Sequence, residues 1–466
     1  MPRILISAAH KSSGKTTVSV GLCAALAARG LAVQPFKKGP DYIDPMWLGQ
    51  AAGRPCFNLD PYLMSWDEIR GLYQRGSQGA DISIVEGNKG LYDGLALDGS
   101  NSNAALASAL ELPVVLVLDS RGMTRGIAPL ILGYQAFDRG IRIAGVILNN
   151  LGGKRHESKL RAVIEHYTDV RVIGAIQNNP DLSVVERHLG LIPSNEAEDA
   201  AERVASIGRL VADQVDLDRL LEVARSATKS VSLPPVIAVR PDTEPVRIAI
   251  ARDRAFGFYY ADDLLGLEAA GAVLLPFDAL KEPHLPECDA LFIGGGFPES
   301  FAQQLSANVS LREEIRTALA AGLPAYAECG GLMYLARSLK VGGEVYPMVG
   351  AVPGDVLMHP KPVGRGYVHL SQTGASPWAP CDCASRMVRA HEFHYSSIEN
   401  LPPDLKYGWR VERGYGVDGE RDGIVIDNLL ASYCHLRMAG GCGWTDRFVA
   451  FVRTHRDRLR AAALPA

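Results

Sequence analysis

The chain has 466 residues, 47% hydrophobic and 21% charged, with a formal net charge of -4. That length is too great for one ordinary core, so two or three domains are expected. The mild acidity gives no electrostatic case for nucleic acid, and no apolar run reaches the roughly 18 residues of a membrane span. Pro2 to Ser7 reads as a short strand rather than a secretory signal, because a glycine–lysine turn follows at once. The 8 scattered cysteines suit free thiols in a reducing cytoplasm. Cys381 and Cys383 form a CxC, with Cys434 and His435 further on, but the paired CxxC spacing of a zinc site is missing.

Ile4-Leu5-Ile6-Ser7 runs into Ala8-Ala9-His10-Lys11-Ser12-Ser13-Gly14-Lys15-Thr16-Thr17, and Val18, Val20, Leu22, Ala25 and Leu26 follow as apolar helix positions. This is strand, loop, helix. The loop matches the phosphate-binding pattern GxxxxGK[ST], with Ala9 in place of the first glycine. Backbone N–H groups from Ser12 to Thr16 can curl round phosphates, Lys15 can reach the β and γ oxygens, and Thr16 can ligate Mg²⁺. Ser13, Gly14, Lys15, Thr16 and Thr17 are therefore the candidate nucleotide-binding residues.

A second strand, Leu31 to Phe36, ends in Lys37-Lys38-Gly39-Pro40-Asp41-Tyr42-Ile43-Asp44-Pro45. In a parallel sheet that loop lies beside the phosphate loop. It places Asp41 or Asp44 near Mg²⁺ and Lys37 and Lys38 near an anionic group; a solvated loop is the competing reading. Ala80 to Gly94 repeats the design, with a buried strand ending in Glu86 and a glycine-rich loop carrying Asp93. A strand-end acid facing the phosphate loop is a usual second contact to the nucleotide's metal, and Glu86 is the first choice over Asp93. Strands at Pro113–Leu118 and Ile143–Leu148, alternating with helical stretches at Asn103–Leu110, Gly126–Phe137 and Glu157–His166, predict a doubly wound parallel sheet. Asn149 at a strand end can read adenine through its amide, or be a plain turn former. Glu186-Arg187-His188 can meet a polycarboxylate or form an exposed turn.

A helical stretch at Asp199–Ser226 precedes a proline-rich segment with Pro234, Pro235, Pro241 and Pro245. The expected division is a first domain over 1–228, a linker over 229–245 and a second α/β domain over 246–466. In the second half, Ala290-Leu291-Phe292-Ile293 ends in Gly294-Gly295-Gly296-Phe297-Pro298-Glu299, whose N–H groups can form an oxyanion site. Ala325-Tyr326-Ala327-Glu328-Cys329-Gly330-Gly331-Leu332 then turns from strand to helix, which predicts an exposed, strained nucleophile at Cys329. A buried core cysteine is the alternative. His435 is the candidate base, and the His391-Glu392-Phe393-His394-Tyr395 cluster competes for that role.

These motifs together (GPDYIDP, VEGxxGLYDG, Gly-Gly-Gly-Phe-Pro-Glu, Glu-Cys-Gly-Gly and a late Tyr-x-His-Leu) resemble the cobyrinic acid a,c-diamide synthase family over nearly the whole chain. The first half is similar to dethiobiotin synthetase, and the second resembles a triad-type class I glutamine amidotransferase domain. The resemblance implies two doubly wound α/β domains, ATP and Mg²⁺ as cofactors, and glutamine and a tetrapyrrole polycarboxylate as partners, in the cytoplasm, with room for a homodimer. It implies that Cys329 attacks glutamine with His435 as base, that Gly295 and Gly330 hold the oxyanion, and that ammonia travels a protected path to an acyl phosphate. It sets Thr16, Asp44 and Glu86 on the metal and Asp41, Tyr42, Lys37 and Asp93 on the substrate side. Three positions depart from the family: Trp47-Leu48, Asn88-Lys89 and Arg437. The first two raise sirohydrochlorin or siroheme as alternative substrates. The third removes an acid or histidine two residues after His435, which favours a Cys–His dyad. Rival classes are a non-enzymatic ATP-switched P-loop partner, faintly suggested by Lys11, and a free-standing glutaminase.

Overall fold

The computed structural model describes residues 1–179, 186–187, 190–227, 244–380, 387–441 and 443–463. The linker expected at 229–245 falls almost wholly outside them, as do the side chains of Glu186, Arg187 and His188, and Cys381 and Cys383. The chain forms two compact units, Met1–Val236 and Ile237–Ala466.

In the first unit the strands are β1 (Arg3–Ala8), β2 (Val33–Lys38), β3 (Phe57–Leu59), β4 (Ile82–Glu86), β5 (Val114–Asp119), β6 (Ile143–Leu151) and β7 (Val172–Gln177). They form one sheet in the order β3-β2-β4-β1-β5-β6-β7, and every neighbouring pair is parallel. The strands read as continuous apolar runs because helices cover both faces, so every residue of β1 and β4 is buried. The helices are α1 (Lys15–Ala28), α2 (Ile43–Ala52), α3 (Trp66–Gly76), α4 (Asn103–Ala109), α5 (Ile127–Phe137), α6 (Lys154–Tyr167), α7 (Ala200–Gln214) and α8 (Leu217–Arg225). Ser65 and Glu68 form a capping box that starts α3, worth about 1 kcal/mol. The helix expected over Asp199–Ser226 is two helices. Val215 leaves α7 to bridge Gly174 on the edge strand, and Asp216 caps the next helix by accepting from Arg219 N. A two-residue strand pair, β8 (Glu186–Arg187) and β9 (Gly190–Leu191), lies between β7 and α7.

The second unit runs β10 (Val246–Ala251), β11 (Phe256–Phe258), α9 (Ala261–Ala269), β12 (Ala272–Phe277), β13 (Ala290–Ile293), β14 (Gly295–Gly296), α10 (Ala302–Ala307), α11 (Val309–Ala320), β15 (Ala325–Glu328) and α12 (Gly330–Leu335). It continues with β16 (Ala336–Val341), β17 (Glu344–Pro347), β18 (Val352–Met358), β19 (Gly364–Gln372), β20 (Met387–His394), β21 (Ser396–Glu399), β22 (Lys406–Arg413), β23 (Arg421–Ile426), β24 (Leu429–Ser432) and α13 (Trp444–Ala463). Nine strands form a mixed sheet, β12-β10-β13-β15-β24-β23-β22-β19-β20, parallel up to β24 and antiparallel beyond. The alternation of β15 feeds two cores. Ala325 and Ala327 face one cluster, with Leu332, Tyr334 and Ala431. Tyr326 faces the other, with Trp378, Trp444 and Phe448. Among the described residues no helix is long and apolar enough to cross a membrane.

Candidate active site

In the first unit, β1 ends at Ala8 and α1 opens at Lys15. The six residues between them turn through left-handed backbone at Ser12 (φ 66°) and Gly14 (φ 82°). A Cβ on Gly14 would lie 2.2 Å from Asn149 Nδ2, because that amide donates to Ser13 O at 2.9 Å. Asn149 was left between reading adenine and forming a plain turn; its N–H₂ here grips the phosphate loop. Ser13 Oγ ties back to His10 O, and Tyr134 Oη donates to Ala9 O at 2.5 Å. Gly90 of the second loop passes so close that a Cβ there would sit 2.5 Å from Ala9 O. Thr17 follows Thr16 in the first turn of α1, half-buried.

Lys37 and Glu86 stand side by side at the ends of neighbouring parallel strands. Lys37 Nζ lies 2.8 Å from Glu86 Oε1, bonds to Asp44, and lies 3.9 Å from Asp41 Oδ2. Thr16 Oγ1 donates to Glu86 Oε1 at 2.8 Å and to Asp44 Oδ2 at 3.2 Å. Burial opposes the charge of Lys37, but Asp44, Glu86 and Asp41 outweigh it and hold the ammonium well above its usual range. Lys37 therefore bonds the carboxylates expected at the metal, where a contact to an anionic substrate was expected. Its strand position explains this: it alternates inward beside Glu86, whereas Lys38 turns away and donates to Asn88 Oδ1 at 3.0 Å. Burial draws the Lys15 ammonium below its usual value, with Glu86 opposing that shift.

The remaining predicted residues are spread around this cluster. Asp41 Oδ1 accepts from Asp44 N, and Tyr42 sits half-buried at the start of α2. Asp93 is exposed and accepts from Gly90 N at 2.9 Å, so it shapes the loop. Trp47 and Leu48, one of the departures that raised other tetrapyrroles, are each 1% exposed, and the Trp47 indole donates to Ile192 O. Both are core of α2, so these two side chains do not themselves face a substrate.

Glu86 Oε2 is buried and has no hydrogen-bond partner among the described residues. An orphaned carboxylate oxygen beside a threonine hydroxyl and a second carboxylate is a hard-donor set that suits Mg²⁺. Among the described residues no group of three or more His, Cys, Asp or Glu gathers to hold a metal ion alone.

In the second unit Cys329 sits between β15 and α12 with φ 47° and ψ -100°. The strain expected at this turn is present, but the residue is 7% exposed and so buried rather than exposed. Its N–H is fixed to Ser432 O at 2.7 Å. His435 hydrogen-bonds the Cys329 side chain, and its Nδ1 lies 3.3 Å from Glu328 Oε2. Burial works against charge on this ring, but the bonds to Cys329 and Glu328 prevail and push it up to about 10.

The competing histidines are placed differently. His394 stacks on Tyr433 at 4.0 Å and bonds Ser396 O. His391 pairs with His435 through backbone bonds of 3.2 and 2.7 Å, and burial pushes its ring down to about 3. A Cβ on Gly295 would meet His435 Cε1 at 2.7 Å, and one on Gly330 would meet Gly296 N at 2.9 Å. The expected oxyanion glycines thus lie close to His435 and to the glycine run.

The sequence reading missed three supports. Glu328, quoted in its motif, was given no role. Tyr326 Oη donates to Glu328 Oε1 at 2.6 Å. Asp422 accepts from Ser432 Oγ, Tyr433 N and Cys434 N at 2.6–3.0 Å, shaping the turn into His435. The acid before Cys329 and its i–2 tyrosine were the available signals; Asp422 had none. Arg437, at the position where an acid was missing, is buried, paired with Asp262 and 4.3 Å from the Tyr260 ring.

Residues 4–192 match the family described as CobQ/CobB/MinD/ParA nucleotide binding domain, and residues 247–441 match the CobB/CobQ-like glutamine amidotransferase domain. The protein is thus of the class that joins a nucleotide-binding domain to a glutamine amidotransferase domain. It is 46% identical over 97% of its length, and 97% of the relative's, to a protein of Magnetococcus marinus named cobyrinate a,c-diamide synthase. Proteins of the same name from Methanosarcina acetivorans (43% identical; 94% of this chain and 92% of the relative) and Listeria monocytogenes (41%; 94% and 96%) are also similar. The chain belongs to the cobyrinate a,c-diamide synthase family.

Proposed function

We propose that the protein is an ATP-dependent carbon–nitrogen ligase that uses glutamine to amidate peripheral carboxylates of a tetrapyrrole, cobyrinic acid foremost. The reading is carried by the likeness of the whole chain, at 46% identity over 97% of its length, to a protein named cobyrinate a,c-diamide synthase. The two domain ranges foreseen, 1–228 and 246–466, divide the chemistry between them.

In the second domain Cys329 Sγ attacks the carboxamide carbon of glutamine. The backbone at Gly295 and Gly330 stabilises the oxyanion. His435 holds the thiol proton and delivers it to the leaving nitrogen. Ammonia departs, and water releases glutamate from the thioester. In the first domain a substrate carboxylate oxygen attacks the γ-phosphorus of ATP, so ADP leaves and an acyl phosphate forms. Ammonia then displaces phosphate and leaves a carboxamide. Activation is necessary because a free carboxylate is a poor electrophile.

Ser13, Gly14, Lys15, Thr16, Thr17 and Asn149 surround the nucleotide. Thr16, Asp44 and Glu86 would hold Mg²⁺, which supplies charge neutralisation at the phosphates. Asp41, Tyr42, Lys37 and Asp93 border the substrate. Lys37 acts there by fixing Asp44 and Glu86. Cys23, Cys56, Cys288, Cys329 and Cys434 are free thiols, which suits a cytoplasmic enzyme.

Mass spectrometry after incubation with ATP, Mg²⁺, glutamine and a panel of cobyrinic acid, sirohydrochlorin and siroheme tests the reading. Each amidation lowers the product mass by the difference between OH and NH₂. A panel without any shifted product overturns it.

A further inference from the structure

We propose that Glu328, the residue immediately before the nucleophile, is the positioning acid of the amidotransferase site and orients the imidazole of His435 toward Cys329. This rests on the reading of Cys329 and His435 as nucleophile and base.

Glu328 is 4% exposed, and both of its oxygens are engaged. Oε2 faces His435 Nδ1 at 3.3 Å. Oε1 accepts from Tyr326 Oη at 2.6 Å and from Leu436 N at 2.9 Å. One carboxylate therefore grips the ring of His435 and the backbone just after it, which fixes both the position of the segment and the rotation of the ring.

The strand explains the reach. Tyr326 and Glu328 are two residues apart on β15, so their side chains share a face. Tyr326 is wedged among Phe292, Trp378 and Trp444, with ring centroids 5.0–5.4 Å away, so its hydroxyl is a fixed donor. The chain then breaks at Cys329 through its positive φ. That break lets consecutive residues both reach His435.

The position where the family motif would offer an acid is taken by arginine. Arg437 stands two residues after His435 and is committed to Asp262. The ionisable groups facing His435 are Cys329 and Glu328 from the β15–α12 turn and His391 from β20. The rings of His391 and His435 are 6.4 Å apart, and burial keeps His391 neutral at ordinary pH. Glu328 is thus the carboxylate that holds Nδ1–H and favours the imidazolium beside Cys329.

The test has two arms. In the Glu328→Gln variant, kcat for glutamine hydrolysis should fall roughly 10²-fold with KM little changed. The alkaline limb of its pH profile should move to lower pH, because the imidazolium loses its counter-charge. Amidation supported by ammonia should persist. A purely structural Glu328 would leave the pH profile in place, and an unmoved limb overturns the proposal. The second arm does not need that variant to fold. In Cys329→Ala protein the thiol is gone, so an NMR titration of the His435 ring reads the influence of Glu328 directly. A midpoint above the ordinary 6.5 is expected; one at or below it overturns the proposal. If the unaltered enzyme hydrolyses no glutamine, the functional reading fails instead, and the titration still decides whether Glu328 charges the ring.

Discussion

Lys37 and Glu86 form a buried ion pair across neighbouring parallel strands, with Nζ 2.8 Å from Oε1 and the two residues in direct register. Both side chains are at most 3% exposed. Removing one partner of such a pair strands the other charge in low dielectric. Lys37→Met is therefore expected to destabilise the first domain by about 3–5 kcal/mol, read as a lower midpoint in denaturant. Saturating Mg²⁺ should recover part of the loss, because the same oxygens then face a cation. A variant as stable as the parent, with or without Mg²⁺, refutes the role given to this pair.

The phosphate loop depends on Gly14. Its φ of 82° and the Asn149 amide 2.2 Å from a would-be Cβ leave no room for a side chain. Gly14→Ala should weaken ATP binding by more than about tenfold, equal to 1.4 kcal/mol, since strain of 1–3 kcal/mol is typical for a residue forced into this region. Calorimetric titration with ATP measures it, and unchanged affinity would contradict the geometry.

Cys329→Ala should abolish glutamine-dependent amidation and leave ammonia-dependent amidation near the parent rate. Truncating the thiol removes the nucleophile but leaves the ATP-binding residues untouched. Product formation from ammonium chloride at elevated pH is the measurement. Failure of ammonia to rescue a folded variant would break the two-site scheme.

His391 and His435 give the second domain two opposite pH dependences. For His391 burial lowers the ring from 6.5 to about 3. The unfolded chain therefore takes up this proton first, and stability is lost as pH falls from about 6.5 toward about 3. For His435 the folded value is raised to about 10, so its contribution is complete below 6.5 and lost as pH rises toward about 10. His391→Phe should flatten the acid side of a plot of denaturant midpoint against pH and leave the alkaline side alone. An acid side as steep as the parent's would show that His391 is not its source.

Several elements of the fold were legible before any coordinates. β1, the Ser12–Thr16 loop and α1 are contiguous, so apolar run, glycine and helix period sit within a few turns of chain. Glu86 at a strand tip and Cys329 at a strand-to-helix turn were found in the same way. The single helix expected over Asp199–Ser226 was not, because its break depends on Val215 bridging a distant edge strand.

By itself the sequence determined the alternation of apolar strands and helices, the phosphate loop and the turn at Cys329, since each is set by residues within hydrogen-bonding distance along the chain. Tertiary structure alone decided which charges meet. It turned Lys37 onto Glu86, 49 residues away, and buried Trp47 and Leu48 in the core. It also set Glu328 against His435, 107 residues on, while Arg437 went to Asp262. Periodicity reports which way a side chain points. Only the packed sheet fixes what stands opposite it, and in a buried site the opposite group sets the charge and orientation of the reacting one.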